Sequence, residues 1–302
     1  MKQIGQLTLR NVRLFTRDRM SFFFSMFNAV IILALYVLFI RNLTILGVEQ
    51  ALTSSGLIYT DNALDFFMDT WMITGIISVT SITLPFGIYS IVVEDKCRNI
   101  SKDFHASPIR PYKVTLSYVL AVLIISICVI FLLLGIAVVY IYFATGYSIS
   151  ASGLLSAFGI SALSCLSSSL LLILPAYFIK SQAAFGGLSA ILGVVAGFLT
   201  GAYMPLTMFP SAIQTISAVI PGTHVTALLR NIFMKSSLPL LLENSGETYE
   251  SVAAFLTKEF GAELYIFNQP LSFDVMLTFV VATTVVFFLL SVILMRKKFV
   301  NK

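Results

Sequence analysis

Residues Val114–Phe143 read VTLSYVLAVLIISICVIFLLLGIAVVYIYF, thirty positions without a Lys, Arg, Asp, Glu or His. A helix rises about 1.5 Å per residue, so this run is long enough to cross the roughly 30 Å hydrocarbon core of a bilayer. Immediately before it, Glu94–Lys113 reads EDKCRNISKDFHASPIRPYK and carries eight charged side chains. The chain as a whole is 58% hydrophobic, only 11% charged, and has a mean hydropathy of +0.95. A soluble domain is about one-quarter charged. The abrupt change of composition therefore places Val114–Phe143 in lipid and Glu94–Lys113 in water.

Outward from this pair, the same reading finds six apolar runs: Phe22–Ile40, Trp71–Val92, Val114–Phe143, Leu154–Ile179, Ala183–Met204 and Val275–Met295. None contains an ionisable Lys, Arg, Asp, Glu or His. A charge near mid-bilayer costs about 3 kcal/mol even on lenient scales, so their clearance from every run is what lipid-spanning helices require. The expected fold is an all-α integral membrane protein with six transmembrane helices over residues 22–302. The first run is too long for a signal peptide and lacks a small-residue cleavage site after Ile40, so it is expected to be retained.

Orientation follows from the basic residues. With the amino terminus in the cytosol, fifteen of the nineteen Lys and Arg fall inside, and only Arg41, Arg230, Lys235 and Lys258 fall outside with ten of the fourteen acids. Basic residues are retained on the cytosolic side, so both termini and Glu94–Lys113 are expected there. The net charge of +5 thus reads as membrane orientation. It does not read as nucleic-acid binding, because the basic residues are dispersed and lack interleaved aromatics. Cys97, Cys128 and Cys165 have neither disulfide nor zinc-ligand spacing and read as reduced packing thiols.

Residues 1–21 are too polar to span but have helical periodicity. Arg10, Arg13 and Arg17 share one face, and Ile4, Val12 and Phe15 another, which predicts an amphipathic helix in the interface with arginines toward lipid phosphates. A cationic tail that only fixes topology is the alternative. Glu94–Phe104 is compatible with a short helix, broken by Ser107-Pro108 and Arg110-Pro111. Ile100, Phe104 and Ile109 are its apolar members, expected to be exposed in a charged rim suited to a groove on another protein. A solvated loop that serves only the charge bias would have the same composition.

The pattern E-D-K-x-x-x-I-x-K-D-F-x-x-S-P-I-x-P at Glu94–Pro111 resembles the first cytosolic loop of the type-2 ABC transporter permeases. A second stretch, GAYMPLTMFPSAIQTISAVIPGTHVTALLR at Gly201–Arg230, is similar to that family's segment after the fifth span. The resemblance implies the transmembrane subunit of an ABC exporter, with Glu94, Asp95, Lys96, Ile100, Lys102, Asp103, Phe104, Ser107 and Pro108 in a coupling helix that docks on a separate ATPase subunit. It also implies a second permease subunit, in a homodimer or related heterodimer, and a plasma membrane of prokaryotic type. The first and fifth spans would supply much of that interface.

Pro205, Pro210 and Pro221 interrupt an apolar stretch outside the membrane core, which suits a re-entrant hairpin or a segment lying on the surface, and the resemblance favours the hairpin. His224 and Arg230 are its polar members and read as structural. Residues 205–272 then form a hairpin and lid, with a short helix near Thr248–Phe260 among Glu243, Glu247, Glu250, Glu259 and Glu263. Ser189, Gly193, Gly197 and Gly201 recur every four residues on the fifth span and suit close packing, either at the dimer seam or within one subunit. Pro175 is expected to kink the fourth span. The serines of the third and fourth spans are expected to bond within their own helices.

Gly-Lys occurs nowhere, so no phosphate-binding loop of the GxxxxGK[ST] type is present and the chain is not expected to be an enzyme. No cofactor or metal is expected on this chain, with ATP and Mg on the partner. HExxH and GxSxG are absent, which disfavours an intramembrane hydrolase. The apolar runs lack acids, which disfavours ion-coupled transport. The resemblance implies an ATP-driven exporter of a drug, antibiotic, peptide or amphipathic lipid-like molecule, with a role in drug resistance. Export of a lipid-linked glycan, or a membrane sensor or immunity protein that transports nothing, are the other readings.

Overall fold

The computed structural model describes residues 2–54, 57, 59–245, 248–266 and 269–300. Glu247 and Lys302, counted above, lie outside them. Almost every described element is helical. α1 (Lys2–Arg17) leads into α2 (Arg19–Leu35), a π-helical segment at Tyr36–Ile40 and α3 (Arg41–Ser54). α4 (Asp61–Ile88), α5 (Ser90–Cys97), α6 (Ile100–Ala106) and α7 (Pro111–Thr145) follow. Next come α8 (Ala151–Phe178) and α9 (Gln182–Leu199), then α10 (Ser211–Ala218), α11 (Pro221–Leu241), α12 (Tyr249–Glu259) and α13 (Phe273–Val300). The strand content is one antiparallel pair, β1 (Tyr265–Ile266) with β2 (Gln269–Pro270).

Among the described residues, five helical stretches are long and apolar enough to cross a bilayer: Asp61–Cys97, Pro111–Thr145, Ala151–Phe178, Gln182–Leu199 and Phe273–Ile293. Two bent pairs raise the number to seven if each is one span: Leu33–Ile40 with Thr44–Gln50, bent by 53°, and Ser211–Ala218 with Pro221–Leu241, bent by 91°. The protein is thus an all-α, multi-pass membrane protein. Three boundaries differ from those expected; in one, α9 ends at Leu199 and not at Met204, which leaves Gly201, at φ 72°, in the turn beyond the helix and off the expected strip. The helical path begun before Phe22 continues past Ile40 to Ser54, through the π segment and with a bend of 53° between Leu33–Ile40 and Thr44–Gln50. The second span begins ten residues before Trp71, at Asp61, and so brings Asp61, Asp65 and Asp69 into the helix. An acid in the first turn is favoured by the helix dipole. The premise that the spans are free of acids therefore holds for the apolar runs and fails for the helices that contain them.

Pro85, Pro175 and Pro239 lie inside α4, α8 and α11, whereas four others sit where their missing N–H costs little. Pro111 and Pro221 open α7 and α11, Pro210 precedes α10, and Pro205 precedes a 3-10 turn at Leu206–Met208.

α4 is the axis of the fold. It is buried along most of its length and packs on α11, α8, α2, α7 and α9. One apolar cluster gathers its Ala63–Ile77 half with α11 and α12; a second gathers Leu84 onward with Phe15 of α1, α7, α8 and Phe185 of α9. Hydroxyl pairs fix its neighbours. Ser78 Oγ meets Thr226 Oγ1 at 2.6 Å, and Ser81 Oγ meets Ser164 Oγ at 2.6 Å. Ser161 and Ser169 donate within α8 as expected, whereas Ser164 bridges between helices.

α9 buries only Phe185, Gly193 and Gly197 in this chain. The four-residue strip of small side chains is filled from within: a Cβ on Gly197 would lie 2.2 Å from the Tyr203 ring, and Tyr203 Oη donates to the Gly193 carbonyl at 3.4 Å. Ile191, Val194, Val195 and Phe198 are exposed on α9.

Candidate functional site

At one end of α4, four helices meet around Asp95. This carboxylate is 3% exposed. It receives Arg10 Nη1 on Oδ2 at 2.6 Å and Arg10 Nη2 on Oδ1 at 2.7 Å, a two-pronged pair of the kind that fixes geometry as well as charge. The Tyr118 hydroxyl of α7 donates to the same Oδ2. The hydrogen bonds to Asp95 hold the Arg10 guanidinium above its usual pKa despite partial burial. Arg10 also lies 5.4 Å from the centre of the Phe104 ring. One side chain of α1 thereby contacts both α5 and α6.

α1 binds the bundle through a polar stripe as well. Asn11 Nδ2 donates to Ser117 Oγ at 3.3 Å, Lys113 Nζ donates to Gln3 Oε1 at 2.7 Å, and Thr8, Asn11 and Phe15 are buried. The sequence places Arg10 toward lipid; it faces Asp95 instead, a buried carboxylate that would be costly to leave unpaired. Arg13 and Arg17 remain exposed.

Lys96 also turns inward. Its Nζ donates to the Ala176 carbonyl at 3.2 Å and the Tyr177 carbonyl at 2.5 Å, and sits 4.6 Å from the Tyr177 ring centre. A cation on the final carbonyls of α8 complements the negative end of that helix. Asp95 and Lys96, adjacent in sequence, thus tie α5 to α1 and α7 on one side and α8 on the other.

The single helix expected from Glu94 to Phe104 is two helices joined at Asn99, whose φ of 60° is left-handed and ends α5. Asparagine tolerates that conformation better than other side chains with a Cβ. Lys102, Asp103 and Pro108 are exposed, and Glu94 pairs locally with Arg98 at 2.7 Å. Ile100, Phe104, Ser107 and Ile109 are half-buried, not fully exposed as expected for the three apolar ones, because α6 lies back on α5 and α7. The cleft between Val92, Lys96, Phe104 and Tyr118 holds about 40 Å³. Small-molecule sites run to roughly 300–1,000 Å³, so this cleft is too small for one.

α11 packs along α4, from the bend after α10, where Gly222 lies beside Ile82 and Thr226 beside Ser78, to Arg230 beside Trp71. His224 donates from Nε2 to the Ala218 carbonyl across the bend at 2.7 Å and stacks on Phe279 of α13 at 4.3 Å. Arg230 is 1% exposed, donates from Nη2 to the Gly201 carbonyl at 2.6 Å, and lies 4.9 Å from the Trp71 ring centre. Trp71 in turn donates to the Phe260 carbonyl at 3.1 Å. Gly261, at φ 68°, passes so close that an added Cβ would be 2.8 Å from Arg230 Nη1. Arg230 therefore joins α4, α11, the turn after α9 and the end of α12. Beside it, Thr207, Gln214, Lys258, Glu259, Glu263 and Tyr265 border an open cavity of about 390 Å³.

The sequence had grouped Glu94–Pro108 as one docking surface, but the structure divides it into inward anchors and an outward edge. Arg10, Tyr118 and Tyr177 were missed as members; no local pattern marks a residue 85 positions away from its partner.

No curated protein matches the chain. The family model described as ABC-2 type transporter matches residues 2–234, which includes α1, the Asp95 joint and the bent pair through Met234. That match extends over more than three-quarters of the sequence, and the chain belongs to the ABC-2 type transporter family.

Proposed function

We propose that this permease is the pathway-forming subunit of an ATP-driven exporter, and that its ATPase subunit pushes on the exposed edge of α6 around Lys102, Asp103 and Pro108. Membership of the family implies an ABC transporter with an ATPase partner. The observation that carries the docking site is the joint behind that edge. Arg10, Asp95, Tyr118 and Lys96 link α5 and α6 to α1, α7 and α8, so a load applied at α6 reaches three helices at once. ATP and Mg bind the partner; this chain contributes no nucleotide site. For ATP to shift the equilibrium, the two states must differ in their contacts with the motor.

In this reading both termini and α6 are cytosolic, α10–α11 is a re-entrant hairpin in the outer leaflet, and Arg13 and Arg17 lie against lipid phosphates. A second permease subunit completes the pathway. The cargo is a drug, antibiotic, peptide or amphipathic lipid-like molecule, and it leaves past the 390 Å³ outer cavity. Reconstitution with the ATPase subunit tests the reading. Vesicles should show ATP-dependent extrusion of an amphipathic fluorescent cargo, abolished when the partner's hydrolysis is disabled; extrusion that persists without hydrolysis would contradict it.

A further inference from the structure

α11 and α12 border a second cavity, of about 270 Å³. Asn231, Lys235 and Pro239 follow one another at four-residue steps, which places them on one face of α11. Tyr249 and Thr257 of α12 complete the polar lining, and Met234 and Leu238 supply an apolar part of the wall. Among the described residues Lys235 is the sole charged side chain in that lining. It is exposed, and no described carboxylate pairs with it. The acids nearest in sequence to its walls, Glu243, Glu250 and Asp274, are exposed and do not line the cavity. The 390 Å³ cavity beside Arg230 differs in this respect, since Glu259 and Glu263 border it.

The Lys235 ammonium, the Asn231 carboxamide and the Tyr249 hydroxyl form no hydrogen bond with another described residue. Thr257, by contrast, directs its proton to the Ala253 and Ala254 carbonyls of its own helix, at 2.9 and 3.0 Å. An ammonium, a carboxamide and a phenol together offer about six N–H and O–H donors. Unopposed positive charge and a surplus of donors call for an anion rich in acceptor oxygens. A phosphate ester suits that supply better than a carboxylate, which has half as many oxygens, and lysine holds phosphate as a point charge.

The depth of the cavity points to the source of the phosphate. Lys235 Nζ lies 5.8 Å from the ring centre of Phe273. Phe273 opens the stretch Phe273–Ile293, which is long and apolar enough to cross a bilayer, and Val275 beside it is exposed, as a side chain facing lipid would be. Lys235 therefore stands where hydrocarbon gives way to headgroups, with its aliphatic stem on the apolar side and its ammonium at the level of lipid phosphates.

We propose that Lys235, Asn231 and Tyr249 bind the phosphate of an anionic membrane lipid in this cavity. The site requires only that α13 cross the bilayer, so it stands apart from the exporter reading.

The test uses the full chain in neutral detergent and counts bound lipid by native mass spectrometry. The probes are phosphatidylglycerol and the diacylglycerol with the same chains. Arg13 and Arg17 would also attract anionic lipid, so the readout is the difference between variants at matched lipid concentration. The wild-type protein should retain about one more phosphatidylglycerol than Lys235→Gln, in which that lipid binds about ten-fold more weakly, a change of ~1.4 kcal/mol. Lys235→Arg should keep it, and Tyr249→Phe should weaken it several-fold. Lys258→Gln, which removes the same charge from outside the cavity, should leave it unchanged, and diacylglycerol should show no difference among the variants. Equal retention by wild type and Lys235→Gln, or an equal loss in Lys258→Gln, would overturn the site. Soluble glycerol phosphate distinguishes the source: it should not displace the lipid at matched concentration, and displacement would overturn the lipid assignment in favour of a soluble phosphate ester. If Lys235→Gln does not fold, Tyr249→Phe compared with Lys258→Gln still decides.

Discussion

Asp95 is the residue on which the joint turns. Its carboxylate is out of water, and the charge is met by the two prongs of Arg10 and by the Tyr118 hydroxyl. Removing one partner of such a pair leaves an uncompensated buried charge, which costs about 3–5 kcal/mol when burial is complete. Arg10 keeps 29% of its side chain exposed, so a smaller loss is expected. Arg10→Met should lower the unfolding free energy of the detergent-solubilised protein by about 2 kcal/mol, and the double variant with Asp95→Asn should lose less than the sum of the two singles. Additive losses would mean that the pair is not coupled. At the other end, Gly261→Ala must adopt φ 68° with a Cβ 2.8 Å from Arg230 Nη1. A loss of about 1–3 kcal/mol is expected, measured in the same assay, and full stability would show that the Arg230 contact is not tight.

At the scale of elements, the break at Asn99 lets α6 lie at an angle to α5 while both remain anchored. An ordinary L residue in the left-handed region costs about 1–2 kcal/mol. Asn99→Val should therefore straighten or loosen the joint and lower transport per ATP hydrolysed, whereas Asn99→Gly should keep it near wild type. Equal coupling in the two variants would remove the geometry of this break from the account. The helices themselves were largely legible in the sequence. Lipid leaves no choice but long apolar runs, and prolines at 111, 210 and 221 open helices by local stereochemistry. What was not legible depended on partners remote in sequence. Nothing local says that Asp95 faces Arg10, that Lys96 faces the end of α8, or that Tyr203 fills the glycine strip of α9. The start of α4 was hidden for the same reason: Asp65 looks like a loop residue until Arg41 is placed beside it.

For the whole molecule, α4 connects two polar centres through an apolar interior. Asp69 and Ile88 are about 28 Å apart along its axis at the rise of an α-helix, and the Asp95 joint lies beyond the break at Tyr89. A motor acting at α6 would act on the same buried helix that carries Trp71 beside Arg230. The hydroxyl pairs Ser78–Thr226 and Ser81–Ser164 lie between the two centres and would have to stay closed or break together as the bundle switches. Replacing both members of one pair, Ser81→Ala with Ser164→Ala, should change stability little and shift the balance between states. The readout is the basal ATPase rate of the assembled transporter; an unchanged rate would assign the pair to packing alone.

The measurement closest to the central claim is recovery of the ATPase subunit with this chain. The protein, tagged at its carboxyl terminus, is purified gently from its native membrane, and a P-loop ATPase is quantified by mass spectrometry beside it. The account predicts near-stoichiometric ATPase with the wild type and a loss of about ten-fold on Lys102→Glu, equivalent to ~1.4 kcal/mol of binding. A matched reversal far from α6, Glu243→Lys, should retain it. Recovery of no ATPase under mild conditions, or equal recovery with Lys102→Glu, would contradict the claim that α6 is where the motor engages.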